Sequence, residues 1–172
     1  GKEIADYFYV VPGRDYETTK KIAIKHKVIG IVTSQMEKPL KLMARLAQEL
    51  GFIFHSPEVM EKSLDKWLMK QVFLEHNVPC AKGILLKKDE NLTPLKLGGL
   101  LFPIILKPKD ASSSQGVYKI DNFKEIERYL STTRSFSETE EVILEEFLDG
   151  PEISIESITY KGNTTIVQYT EK

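Results

Sequence analysis

The chain has 172 residues, 41% hydrophobic and 28% charged, with a formal net charge of −1 at pH 7. That length holds a sizeable core, as one domain or two small ones, and the composition excludes a disordered chain. The charge balance leaves no global attraction to nucleic acid or anionic lipid, although a local basic patch is compatible with it.

No apolar run approaches the roughly 20 residues needed to span a bilayer, and no stretch resembles a signal peptide. The single cysteine, Cys80, excludes an internal disulfide and fits a reducing compartment. The expected location is therefore the cytoplasm, with no nucleic-acid or membrane partner. The chain starts at Gly1 and stops within a strand-like run, "TIVQYTEK", so it reads as an excerpt of a longer protein.

In chain order, "YFYVVP" (7–12) is a short aromatic and β-branched run closed by Pro12-Gly13 and predicts a strand. Residues 15–26 carry Ile22, Ala23 and Lys25 in a helical pattern, and "VIGIVT" (28–33) has the continuous apolar character of a buried strand. "PLKLMARLAQELG" aligns Leu40, Met43, Leu46, Ala47 and Leu50 on one helical face, with Gly51 as the stop. Strand, helix, strand, helix predicts right-handed crossovers and a parallel sheet.

Ser56-Pro57 predicts an N-cap and first-turn pair for the next helical region, and the pattern over 64–77 predicts a helix joining two halves, ended by Asn77 and Pro79. The composition shifts near residue 80. Strands are predicted at "AKGILL", "LLFPIILK" and "GVYKI", followed by a helix over 122–130 capped by Asp121 and a polar loop over 131–140. Last come "VILEEFL" and a hairpin, "ISIESITY-KGN-TTIVQYT", with its turn at Gly162-Asn163.

Three stretches carry candidate chemistry. In "ILKPKDASSSQGVYKI" an apolar strand ends in Lys107, which Pro108 holds extended. Ser112, Ser113, Ser114 and Gly116 then allow a tight turn whose amides and hydroxyls form an anion-binding concavity beside a fixed cation. Taken alone, the stretch equally describes a solvated loop with a snorkelling lysine, the commoner arrangement. No GxxxxGK[ST], no GxGxxG after a strand and no kinase signature is present.

In "ILEEFLDGPEISIES", Glu145 and Glu146 precede the apolar pair Phe147-Leu148, which suits the face of a flat heterocycle. The strand period then sets Glu152, Ser154 and Glu156 on one face, where Glu152 could accept hydrogen bonds from a sugar. A strand with one wet face reads the same way. In "DKWLMK", Lys66 lies on the joining helix, where a lone lysine is usually solvated.

Taken in order, "SLDKWLMKQVFLEHNVPC", "FPIILKPKDASSSQGV" and "VILEEFLDGPEISIES" resemble the ATP-grasp superfamily, closest to carbamoyl-phosphate synthase large chains and biotin carboxylases. The resemblance covers residues 56–172 well. It implies a mixed α/β and α+β fold: a partial Rossmann-like pre-ATP-grasp domain over 1–62, without its first strand, then an incomplete ATP-grasp domain over 63–172. The latter comprises a helical joint, a small lid subdomain over about 81–144 and the start of the large antiparallel sheet.

By the same resemblance Lys66 and Lys107 match the two basic residues that contact a nucleotide's phosphates. Ser112, Ser113, Ser114 and Gly116 match the loop that closes over them. Glu145 and Phe147 match the positions whose backbone contacts adenine, with Leu148 beside them, and Glu152 matches the ribose-binding acid. "DASSSQG" is poorer in glycine than many such loops.

The implied ligands are ATP and magnesium, whose protein ligands in this family lie downstream of the ribose acid and so beyond this chain. The implied activity is ATP-dependent joining of a small-molecule carboxylate to an amine, thiol or similar nucleophile through an acyl-phosphate, and the stretch alone is expected to be inactive. A homodimer is compatible with the reading. The alternatives are a non-catalytic nucleotide-binding or sensing module of the same fold, and an interaction domain whose lysines are only surface.

Overall fold

The structure, a computed structural model, describes residues 2–33, 37 and 39–171. Among them the main elements are α1 (Tyr16–Lys25), α2 (Leu40–Leu50), α3 (Pro57–Leu64), α4 (Lys66–Glu75), β1 (Gly83–Leu86), β2 (Ile104–Pro108), β3 (Tyr118–Ile120), α5 (Phe123–Ser135), β4 (Val142–Glu146), β5 (Ile153–Tyr160) and β6 (Asn163–Glu171). The class is mixed α and β. A four-stranded sheet has the order β1-β4-β2-β3, β5 and β6 form a separate hairpin, and every pairing is antiparallel.

The first part of the chain departs from its predicted pattern. Residues 7–12 and 28–33 join no ladder among the described residues, and Val10, Ile29 and Val32 are exposed. β-branched residues favour a strand only where a neighbouring strand takes up their N–H and C=O groups. The helices between them form as predicted. Asp15 caps α1 by accepting from Thr18 N at 3.0 Å, and α2 buries Met43, Ala44, Leu46 and Ala47 before Gly51 ends it with a left-handed φ of 73°.

The joining region is two helices rather than one. Ser56 caps α3, accepting from Val59 N at 3.3 Å, and Pro57 takes the first turn, where its missing N–H costs nothing. Asp65 then breaks the path with φ −94° and ψ 110°, ending α3 and capping α4. Its carboxylate accepts from Trp67 N at 2.9 Å and Leu68 N at 3.0 Å. An aspartate that can satisfy two free helix N–H groups favours a new start over continuation.

The sheet has two faces of opposite character. On one, Leu86, Ile104, Leu106, Ile120, Val142 and Leu144 pack with Ile126 of α5 into the core. On the other, the register aligns Gly83, Glu145, Ile105 and Lys119 in one row across all four strands, with Leu85, Ile143 and Lys107 in the next row. The period of 2 along each strand assigns these faces.

Three further differences have local causes. Asn122 rather than Asp121 caps α5, accepting from Glu125 N at 3.3 Å. α5 runs to Ser135, five residues past its predicted end, because Thr133 is buried and tertiary packing outweighs the weak helix propensity of "STTRS". The hairpin turn is Lys161-Gly162, with φ of 48° and 79° as a mirror-image two-residue turn needs, and Asn163 pairs with Tyr160.

Leu144 is fully buried, whereas Leu95 is 92% exposed. Leu144→Ala should cost about 2–5 kcal/mol in urea unfolding, and Leu95→Ala less than about 0.5 kcal/mol.

Candidate functional site

The open face of the sheet, the start of α4 and the serine loop meet in one place. Pro108 ends β2, and the backbone beyond it is fastened on both sides: Lys66 N donates to Lys109 O at 2.9 Å, and Lys109 N donates to Glu141 O at 3.2 Å. The Lys109 amine bridges Asp65, at 3.3 Å, and Glu141. Burial works against its charge, but the two carboxylates outweigh this and hold its pKa above the ordinary lysine value. Lys109 therefore ties the cap of α4 to the sheet and is structural.

Lys66 opens α4 and directs its amine to the carbonyl of Ala111, at the entrance of the serine loop. Burial pushes its pKa down. Glu37 opposes the shift, and the nearby Lys107 adds to it. That repulsion relates the amine of Lys66 on α4 to the lysine that ends the apolar run of β2.

Lys107 pairs with Glu145 Oε1, and Glu145 Oε2 lies 3.0 Å from the amine of Lys70. Lys70 also donates to the carbonyl of Ala81 and is 7% exposed. Glu145 is 9% exposed, so this carboxylate is buried between two cations. Gly83 makes that position possible: a Cβ there would stand 2.9 Å from both Glu145 Cβ and Leu144 O.

The serine loop turns through left-handed residues, with φ of 57° at Ser113, 55° at Ser114 and 70° at Gly116. Ser113 and Ser114 are exposed at its tip, Ser112 is half-buried, and Gly116 is buried against the ring of Phe136. Of the other predicted residues, Phe147 lies 4.0 Å from the amine of Lys119, a cation–π contact on the same face. Leu148 and Glu152 are exposed in the segment between β4 and β5. The structure thus gathers Lys66, Lys107, the serine loop and Glu145, extends the face to Phe147, and sets Leu148 and Glu152 further along the chain.

Sequence reasoning missed Lys70, Lys119 and Gly83. Lys70 had a signal, since it follows Lys66 by one helical turn in "DKWLMK". Gly83 and Lys119 had none until the strand register was known.

Beyond the loop, a cleft of about 500 Å³ separates it from the first helices, with Ser112 and Gln115 on one side and Lys41 and Arg45 on the other. Arg45 stacks 3.9 Å above the Tyr16 ring, and Arg14 pairs with Glu138 across the cleft. Among the described residues no group of three carboxylate, histidine or cysteine side chains is placed to hold a metal ion, and no helix is long and apolar enough to cross a membrane.

Residues 100–172 match the ATP-grasp domain family, and the chain is similar to proteins of the ATP-grasp superfamily. It is 34% identical over 101 residues to a D-alanine–D-alanine ligase of Flavobacterium psychrophilum, covering 58% of this chain and 30% of that protein. It is 26% identical over 167 residues to a carbamoyl-phosphate synthase of Methanobrevibacter smithii, covering 93% of this chain and 43% of that protein. The chain therefore spans less than half the length of either relative. In fold it resembles the biotin carboxylase domain of the Hydrogenobacter thermophilus 2-oxoglutarate carboxylase, solved as a dimer with MgADP and bicarbonate. There the TM-score is 0.77 at 20% identity, covering 98% of this chain and 41% of that one.

An added Cβ at Gly116 would stand 2.7 Å from Phe136 Cδ2 and 3.0 Å from Pro108 Cγ, at a φ that side chains rarely adopt. Gly116→Ala should therefore destabilise by about 1–3 kcal/mol in urea unfolding and speed amide exchange across 112–117.

Proposed function

We propose that this chain is the ATP-binding part of an ATP-dependent ligase that joins a carboxylate to an amine or thiol through an acyl-phosphate. The observation that carries the proposal is the meeting of two cations from different elements, Lys66 of α4 and Lys107 of β2, beside a loop of small hydroxyl residues. Separate origins matter because a triphosphate is long, and cations fixed on two walls grip it without relying on one flexible side chain.

In this reading Lys66 and Lys107 neutralise the phosphates. Ser112, Ser113 and Ser114 offer hydroxyl and amide donors from above, and Gly116 lets the loop bend close. The nucleoside end lies along the open sheet face, on Ile105 and Phe147, with the Glu145–Phe147 backbone and Leu148 beside the adenine and Glu152 toward the ribose. Magnesium accompanies the phosphates, and no residue of the chain is assigned to it.

The chemistry needs charge neutralisation as the γ-phosphoryl passes to a carboxylate, because two anions must come together. Lys66 and Lys107 supply it. The loop shields the acyl-phosphate from water, which would otherwise hydrolyse it. The cleft between the loop and α2 opens beside the phosphates and is the place for the carboxylate and its nucleophile.

Lys107→Met should weaken ATP binding roughly 10- to 100-fold in a calorimetric titration, the usual range for a charged hydrogen bond, without lowering the melting temperature by more than a few degrees. Unchanged affinity would overturn the assignment. Phosphates near Lys66 should also raise its lowered pKa. ATP binding should then take up protons in the alkaline range just below the ordinary lysine value, where the free protein has partly lost that proton. Titrations in buffers of different ionisation enthalpy read this uptake, and Lys66→Met should abolish it.

A further inference from the structure

Glu145 bridges two lysines of unequal standing. The Lys70 side chain is 8% exposed and also held by the Ala81 carbonyl, so it is sealed in place. The Lys107 side chain is 21% exposed and borders the open face of the sheet. One carboxylate therefore has a fixed cation on one oxygen and a cation able to leave on the other.

Burial makes this asymmetry matter. Removing the last partner of a buried carboxylate is strongly unfavourable, whereas removing one of two leaves the charge compensated. With Lys70 in place, Lys107 can transfer its amine from Glu145 to a phosphate oxygen, and Glu145 stays paired. Without Lys70, the same transfer would strand the carboxylate.

The geometry points to Lys70 as a positioning residue that releases Lys107: Glu145 stores the Lys107 amine on the strand, and Lys70 keeps the carboxylate neutralised when that amine moves to the nucleotide. Lys70 itself need not touch the nucleotide. This rests on the nucleotide reading above and adds a residue that neither the sequence pattern nor that reading assigns. Gly83 is part of the device, since a larger residue would displace Glu145 from between its two partners.

The test uses two independent readouts on the intact protein and on Lys70→Met, Glu145→Gln, their double variant and Lys70→Arg. The first is the acylation rate of the Lys107 amine by an activated ester without nucleotide, followed by mass spectrometry. The second is the affinity for ATP. Lys70→Met should slow acylation of Lys107 several-fold and weaken ATP binding roughly tenfold. Glu145→Gln should speed acylation, and the double variant should bind ATP better than Lys70→Met, because the uncharged amide no longer holds the lysine. Lys70→Arg should stay near the wild type in both.

A purely structural lysine would give a double variant no better than Lys70→Met. That outcome, or a folded Lys70→Met protein with unchanged acylation at Lys107, overturns the proposal. If Lys70→Met fails to fold, Glu145→Gln alone decides, and no rise in Lys107 acylation overturns it. Acylation changes as expected in a protein that does not bind ATP would support the lysine storage and refute the nucleotide reading.

Discussion

A carboxylate taken out of water must be matched by positive charge, and Glu145 imposes that requirement on the middle of the sheet. It lies on β4, one of the two inner strands and paired on both sides, so its backbone cannot move away from its neighbours. Lys70 comes to it from α4 and Lys107 from β2. One anion thus fixes how a helix approaches the sheet and which way a strand lysine points. Lys109 does similar work one turn away, joining the cap of α4 to Glu141 at the start of β4. Together these contacts orient the first residue of α4, which is Lys66.

The apolar face supplies the rigidity that this polar face needs. Ile104, Leu106, Val142 and Leu144 are fully buried against α5, and their alternation with Ile105, Lys107, Ile143 and Glu145 leaves the register no freedom. A slip of one residue would place Lys107 and Glu145 in the core and expose Leu106 and Leu144. The core thus protects the site's geometry without touching it.

How much of this was legible in the sequence varies with the range of the interaction involved. Local chemistry was readable: the Ser56-Pro57 start, the Gly51 stop, the strand ending at Lys107-Pro108 and the serine loop are set by neighbours in the chain. The Asp65 break was hidden because an aspartate inside an apolar pattern looks like an exposed helix position until its capping bonds are seen. The runs 7–12 and 28–33 have strand composition, but a strand is made by its partner, which composition does not reveal. Lys107 and Lys109 look alike in "KPK". Only the carboxylates around them distinguish the lysine facing the site from the one that ties elements together.

The chain turns at Asp65, which ends α3 and caps α4. α3 packs against both α2 and α4, and α4 is in turn pinned to the sheet through Asp65 itself, Lys109 and the Lys70–Glu145 pair. Asp65 takes the closing role for α3 and the capping role for α4, so the chain changes direction there without unwinding a helical turn. The far wall of the cleft, with Lys41 and Arg45, is carried by α2 ahead of that break, while Ser112 and Gln115 follow it, so the direction the chain takes at Asp65 bears on how far apart the two walls stand.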